Sequence, residues 1–354
     1  MNLMKRANRP RTISVVIPCY NEQEVLPKLH TNLLKVLDKL EIEFDVILVD
    51  DGSTDDSWNL ISKLNADDSR FKGIRLSRNY GHQIALTSGL DQAEGQVVVI
   101  MDADLQDPPS VIPEMIEKWK EGYDVVYGKR KKRDGDSPSK KFFAYWFYRI
   151  MTLLSGMSIP QDTGDFRLMD KRALSAFREL RERQRFIRGM VSWIGFNQCP
   201  VYYDRPKRAA GQTKYPFKKS LLLAIDAITS FSYAPLRLAS LLGFLLSIFA
   251  FLYIGVVIIL KILGINFPGY TSLMATILLL GGVQLIVLGV MGEYLGRIYE
   301  EVKGRPLYYL SSSIGLKKKN RKNKESRYPP KKVKSKAKSK TKSNTKAKKK
   351  LKSE

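Results

Sequence analysis

The stretch Val97-Val98-Val99-Ile100-Met101-Asp102-Ala103-Asp104-Leu105-Gln106-Asp107 runs five apolar residues straight into three carboxylates and an amide. A short continuous apolar run bounded by polar residues reads as a strand buried on both faces of a sheet. Carboxylates gathered at the end of such a strand repel one another unless a cation lies among them. The run ends either in a solvated loop or at a place built for positive charge, and its neighbours in sequence bear on the choice.

Ile13–Pro18 (ISVVIP), Asp45–Asp50 (DVILVD), Lys72–Leu76 (KGIRL) and Asp124–Gly128 (DVVYG) read as further strands. Helical patterns fall between them at Glu24–Leu40, Asp56–Asn65, His82–Ala93 and Ser110–Glu121. Strands alternating with helices predict an α/β domain with a mostly parallel, Rossmann-like sheet, whose ligands bind at the carboxyl ends of the strands. The polar clusters sit at those ends: CYNE after the first strand, DDGSTDD after the second and DADLQD after the fourth.

An acidic pair separated by one residue suits a divalent cation, Mg2+ or Mn2+, that keeps phosphate oxygens in its shell. Asp102, Asp104 and the amide oxygen of Gln106 alternate along what reads as one extended segment, which would turn all three to one side. Alone the pattern is weak, because turns are rich in aspartate. Asp50 and Asp51 closing another strand strengthen it, whereas Asp55 and Asp56 read as helix caps.

The net charge of +25 over 354 residues is unevenly spread. Residues 317–354 hold 19 Lys/Arg and 2 acids, leaving +8 for the rest. This tail has too few apolar residues to offset the entropy of folding and is expected to be disordered. Beside a membrane it would lie on anionic lipid; nucleic-acid binding and simple solvation are the alternatives. Cys19 and Cys199 have no metal-ligand spacing, and His30 and His82 are too few for a multi-histidine centre. The polar, basic opening MNLMKRANRPRT is not a signal peptide, so the first domain is expected in the cytoplasm.

Past Arg130 the texture changes. KRKKRDGDSPSKK reads as a charged loop, and KFFAYWFYRIMTLLSG as a helix at a membrane interface (about 140–155) or a buried core helix. FKKSLLLAIDAITSF suggests a second interfacial helix within 216–233. Leu238–Leu260 and Ser272–Gly292 carry no charge, and each is long enough to cross about 30 Å of hydrocarbon. The expectation is a hairpin of transmembrane helices at 234–263 and 270–296, with a soluble core hairpin as the alternative. Lys218, Lys219 and Arg237 flank one side, and Arg297, Lys303, Arg305 and the tail flank the other, which puts both ends in the cytoplasm. The organisation is then a tail (1–11), an α/β domain (12–215), the hairpin, a juxtamembrane segment (297–316) and the lysine-rich end.

Four runs in order, VVIPCYNEQEVLP, LVDDGSTDDS, MDADLQDPP and DTGDFRLMDKRAL, resemble the family 2 glycosyltransferases of GT-A fold. More narrowly the chain is similar to the polyprenyl-phosphate glycosyltransferases, the dolichyl-phosphate mannose synthases and bactoprenol glucosyltransferases. The resemblance covers roughly 12–310, including the hairpin ending GGVQLIVLGVMGEYLGRIYEEVKGRP. It implies transfer of one sugar from a nucleotide-sugar to a membrane polyprenyl phosphate. Pro18, Tyr20, Asn21 and Glu22 match the segment lining the nucleotide pocket, although Pro18 and Tyr20 also suit a core. Asp51, with Asp50 beside it, matches the carboxylate that contacts the base, and Asp102, Asp104 and Gln106 match the metal and diphosphate site. RAAGQTKY matches a segment closing over the donor, nominating Arg208 and Lys214. Arg130, Lys140 and Lys141 are the candidates for the acceptor phosphate; Lys131, Lys132 and Arg133 form a solvated or lipid-facing patch.

Asp104 and Asp165 are the catalytic candidates: Asp165 would orient the acceptor or contact the sugar, unless it caps a helix or pairs with Arg167. An acceptor phosphate is already anionic and needs little help from a base, so in-line attack should invert the anomeric carbon. UDP-glucose or a UDP-N-acetylhexosamine fits the resemblance best, with guanosine left open. A processive synthase on the same fold would carry Gln-x-x-Arg-Trp, a spacing QRFIRGMVSW lacks. A non-catalytic anchor with a basic tail is the reading from another class. Gly281, Gly282, Gly289 and Gly292 would permit close helix packing in a dimer or tetramer.

Overall fold

The computed structural model describes residues 5–131, 163–204, 234–264 and 269–316. The two expected interfacial helices, the basic tail, Lys140, Lys141, Arg208 and Lys214 lie outside the described residues.

Eight strands form one sheet in the order β7-β5-β6-β4-β1-β2-β3-β8. They are β1 (Thr12–Cys19), β2 (Glu43–Asp50), β3 (Phe71–Leu76), β4 (Val97–Ile100), β5 (Val125–Arg130), β6 (Thr163–Asp170), β7 (Gln198–Tyr203) and β8 (Leu310–Ile314). The pairs β1–β2, β1–β4, β2–β3 and β5–β7 run parallel. The pairs β3–β8, β4–β6 and β5–β6 run antiparallel, which makes the sheet mixed. β6 was not legible as a strand because TGDFRLMD carries Asp165 and Arg167 where apolar residues are expected. All eight of its residues are nevertheless buried, the two charges facing each other at 3.9 Å.

Helices α1 (Leu26–Leu37), α2 (Ser57–Asp67), α3 (His82–Gln92), α4 (Ile112–Lys120), α5 (Lys171–Glu179) and α6 (Ile187–Trp193) cover the two faces. In α1 a proline in the first turn suits the helix start, and Leu26, Leu29, Leu33 and Leu37 recur at helical spacing and are all buried. Each such leucine contributes about 1.5–3 kcal/mol of burial. On that face they join Ile13, Val15, Val97 and Val99; Val16, Val98 and Ile100 point the other way, into α3, α5 and α6. The alternation shows why these strands read as continuously apolar: both faces are covered.

The chain passes outward from β1 to β2 and β3, then returns to place β4 on the other side of β1. That reversal leaves a crevice beyond the carboxyl ends of β1 and β4, where open α/β sheets bind their ligands.

Two long helices follow, α7 (Ala234–Ile262) and α8 (Tyr270–Val302). Pro235–Ile262 and Ser272–Val302 are long and apolar enough to cross a membrane, with mean hydropathy 2.7 and 2.4. Their most apolar windows are nowhere buried against the protein, so the hairpin is not a core element. Beyond α8, within the segment read as juxtamembrane, β8 joins the edge of β3. The Tyr308 hydroxyl donates to Asp91 Oδ2 at 2.9 Å, Ser77 N to Tyr309 O at 3.0 Å, and Arg183 N to Glu301 Oε1 at 2.7 Å.

Candidate active site

The loops after β1 and β2 are locked together by their own polar side chains. Asn21 sits at φ +55, and its side-chain oxygen accepts from Thr54 N at 2.9 Å while its own N–H donates to Ser53 Oγ at 3.0 Å. Glu22 N donates to Ser57 Oγ at 2.9 Å. Pro18 is buried at the end of β1, whereas Tyr20 is exposed.

The paired aspartates after β2 divide their work. Asp50 is fully buried, accepts from Ser53 N at 2.9 Å and faces Arg75 Nε at 3.1 Å, so it braces the turn from behind. Asp51 accepts from Tyr80 N and Gly81 N, both at 2.8 Å, tying the β3–α3 loop to β2. Burial raises the Asp51 carboxyl above the ordinary range, and these two N–H groups oppose the rise. Each oxygen keeps a second lone pair for a ligand. Gly52, at φ +72, has no room for a side chain: a Cβ would lie 2.6 Å from Arg78 C.

Beyond β4 the acidic run is a turn rather than an extended segment. Gln106 N donates to Asp104 Oδ1 at 3.1 Å, and Leu105 takes φ +59, unusual for a branched residue. The alternation expected to align Asp102, Asp104 and Gln106 is therefore absent, and the turn sets their directions. Asp107 closes it: its carboxyl is buried, accepts from Tyr203 Oη at 2.7 Å and from the Asp102 backbone, and lies near Arg130. Asp102 Oδ1 is sealed from solvent with no hydrogen-bond partner. Burial, reinforced by Asp107, Asp165 and Asp104 against His82, pushes the Asp102 carboxyl up to about 7.

Asp165, from β6, faces the same crevice. His82 Nε2 and Gln83 Nε2 each lie 3.2 Å from its Oδ2, and Arg188 Nε donates to Oδ1 at 3.0 Å. Burial alone would raise this carboxyl, but Arg188, His82 and Arg167 hold it well below the ordinary carboxylate range. The His82 ring also stands 3.6 Å from Asp102 Oδ1, between the two acids. Arg130, at the end of β5, has a buried Nε without a partner, and its guanidinium lies 3.5 Å from where a Cβ on Gly164 would stand.

The arrangement fits a divalent cation on two counts. A buried carboxylate oxygen without a hydrogen bond is costly unless a cation meets it, and with the His82 ring 3.6 Å away the Asp102 carboxyl is still raised by burial and by Asp107, Asp165 and Asp104. Among the described residues no group of three His, Cys, Asp or Glu side chains is disposed to hold a metal. Mg2+ commonly takes only one or two carboxylates and completes its shell from substrate phosphates and water, and Asp102 and Asp104 are the residues of the turn that would supply them.

Pro18, Tyr20, Asn21, Glu22, Asp51, Asp102, Asp104, Gln106 and Asp165 thus come from loops and strand ends around one crevice, with Asp50 behind them. His82, Gln83, Asp107, Arg188 and Tyr203 were not singled out from the sequence. The sequence signals available for them were a histidine and glutamine opening a predicted helix and an arginine within QRFIRGMVSW.

Comparison with known proteins identifies the family. Residues 14–178 match the model for glycosyl transferase family 2, and residues 234–298 match the GtrB C-terminal hairpin. A bactoprenol glucosyl transferase of Shigella phage SfII is 41% identical, over 85% of this chain and 98% of its own. The Bacillus subtilis protein called uncharacterized glycosyltransferase YkcC is 48% identical over 86% of this chain and 95% of its own. Among solved structures, glucosyl-3-phosphoglycerate synthase of Mycobacterium tuberculosis, with Mn2+, UDP and phosphoglyceric acid, gives a TM-score of 0.44 at 17% identity. That match covers 64% of this chain and 84% of the other. With the Bacillus subtilis and Shigella phage proteins covered over 95% and 98% of their length, the chain belongs to the family 2 glycosyltransferases and carries the GtrB-type C-terminal hairpin.

Proposed function

We propose that this enzyme moves one hexose from a uridine-diphosphate sugar, UDP-glucose or a UDP-N-acetylhexosamine, to the phosphate of a membrane polyprenol, undecaprenyl phosphate in bacteria. The observation that carries the reading is Asp102 at the switch point of the sheet: its Oδ1 is shut off from solvent without a hydrogen bond, with the His82 ring 3.6 Å away and other acids close by, and an apolar hairpin follows in the chain. In this reading Tyr20, Asn21, Glu22 and Asp51 bind the nucleotide, with Pro18 and Asp50 supporting them, and Arg208 and Lys214 close over the diphosphate. Asp102, Asp104 and Gln106 hold Mg2+ or Mn2+, which when bound neutralises charge on the departing diphosphate.

Arg130, Lys140 and Lys141 draw the acceptor phosphate toward the crevice. Asp165, kept anionic by its cations, orients the acceptor or the sugar and does not act as a strong base. An acceptor phosphate that is already anionic needs less help from a base than a sugar hydroxyl would, and a single in-line displacement inverts the anomeric carbon. Both chain ends lie in the cytoplasm, and the hairpin delivers the lipid from the bilayer. The homology to a bactoprenol glucosyl transferase supports a lipid carrier.

The test is transfer of label from a panel of nucleotide-sugars into organic-extractable lipid, using membranes with undecaprenyl phosphate and Mg2+ or Mn2+. Lipid label that disappears with chelator and with Asp104→Ala is expected. Label in a large polymer, or in neither fraction, overturns the reading.

A further inference from the structure

Helix α3 opens with two residues that both reach Asp165, and one of them is committed twice. Gln83 Oε1 accepts from Ile187 N at 2.8 Å, and Gln83 Nε2 donates to Asp165 Oδ2 at 3.2 Å. The orientation of this amide is not free. A backbone N–H only donates, so the oxygen must face Ile187, which turns the NH2 group to the carboxylate.

Ile187 is the first residue of α6, where helix N–H groups lack internal partners, and α6 has no side-chain cap of its own. Gln83 therefore caps α6 from a different helix. The next residue, Arg188, donates its Nε to the opposite oxygen of Asp165 at 3.0 Å. One glutamine thus fixes both the carboxylate and the helix that presents its principal cation.

Upstream, the same short segment is anchored at the nucleotide end, because Tyr80 N and Gly81 N bind Asp51. Four consecutive residues, Tyr80 to Gln83, span from the carboxylate after β2 to the carboxylate of β6, with His82 beside Asp102 on the way.

We propose that Gln83 is a positioning residue for sugar transfer, holding Asp165 and the Arg188-bearing start of α6 in register with the donor loop. The inference rests on the proposed role of Asp165 at the reacting centre. Gln83 itself touches neither donor nor acceptor; it acts through the carboxylate.

The experiment compares Gln83→Leu, Gln83→Glu, Asp165→Asn and the double variant Gln83→Leu/Asp165→Asn in full-length protein. Rates are normalised to sites titrated with UDP and Mn2+, so a misfolded fraction does not count. Gln83→Leu should lower kcat about 10- to 100-fold, the scale expected for a reacting group displaced by about 1 Å. Its UDP affinity should stay within about twofold of wild type, because Gln83 does not touch the nucleotide. Gln83→Glu keeps the acceptor for Ile187 N but sets a carboxylate against Asp165, and should be slower still.

The decisive comparison is the double variant. If Gln83 works through Asp165, the double variant is no slower than Asp165→Asn alone. Losses that multiply, or a Gln83→Leu variant with wild-type kcat per titrated site, overturn the inference while wild-type transfer leaves the functional reading intact. Absence of lipid transfer by the wild type overturns both.

Discussion

Arg188 places Nε 3.0 Å from Oδ1 of Asp165, a carboxylate with only 4% of its side chain exposed. A buried acid is tolerable when cations and donors surround it, and here they lower its pKa. An acid depressed in the folded state stabilises the protein above its unfolded pKa of about 4, and loses that contribution as pH falls toward the folded value. Asp165→Asn should therefore be less stable than wild type at pH 6, with the difference shrinking below about pH 4. Melting temperatures of both proteins from pH 6 to pH 3 check this, and a gap that widens toward acid contradicts it.

Asp102 gives the opposite sign. Its carboxyl is raised to about 7, so in metal-free protein ionising it costs stability progressively from about pH 4 up to about 7. In chelator, Asp102→Asn should melt above wild type at pH 8, with the gap closing toward pH 4. Adding Mn2+ at pH 8 should raise the melting temperature of wild type and leave that of Asp102→Asn nearly unchanged.

Gly52→Ala combines a positive φ with a Cβ that would press on the backbone of Arg78 and Asn79. A cost of about 1–3 kcal/mol is expected, read from denaturant midpoints. The displaced backbone leads into the residues held by Asp51, so UDP affinity measured calorimetrically should fall as well.

Tyr308→Phe removes a hydroxyl from Asp91, which Arg181 also holds at 2.9 Å. The loss should be modest, about 1–3 kcal/mol in unfolding free energy, because Arg181 still holds the carboxylate. Deleting residues 310–316 is a different matter: it bares the edge of β3, and aggregation measured by light scattering should rise.

Where physical signals are local, the sequence was informative. Mostly continuous apolar runs marked β1 to β5 and the leucine period of α1 marked its buried face, because burial on a sheet or a stripe imposes a repeat. β6 was hidden, since its Asp165 and Arg167 compensate each other only in three dimensions. β8 was hidden because LSSSI is short and mostly polar, as an edge strand can be. The extended reading of Asp102 to Gln106 failed at Leu105, whose positive φ no local pattern announces. Gln83 and Arg188 lie more than a hundred positions apart in the chain, and only the meeting of α3, β6 and α6 gives them a shared partner.

The return of the chain to β3 through β8 also constrains the count of membrane passages. β7 and β8 belong to one hydrogen-bonded sheet, and α7 and α8 both lie between them in sequence. A polypeptide that leaves a sheet and rejoins it can cross a bilayer only an even number of times in between. With α7 and α8 taken as two spans, loss of either alone would make that number odd and strand β8 on the far side of the bilayer from β3. Parity, rather than the apolar character of either helix, is what the sheet would enforce on such a hairpin.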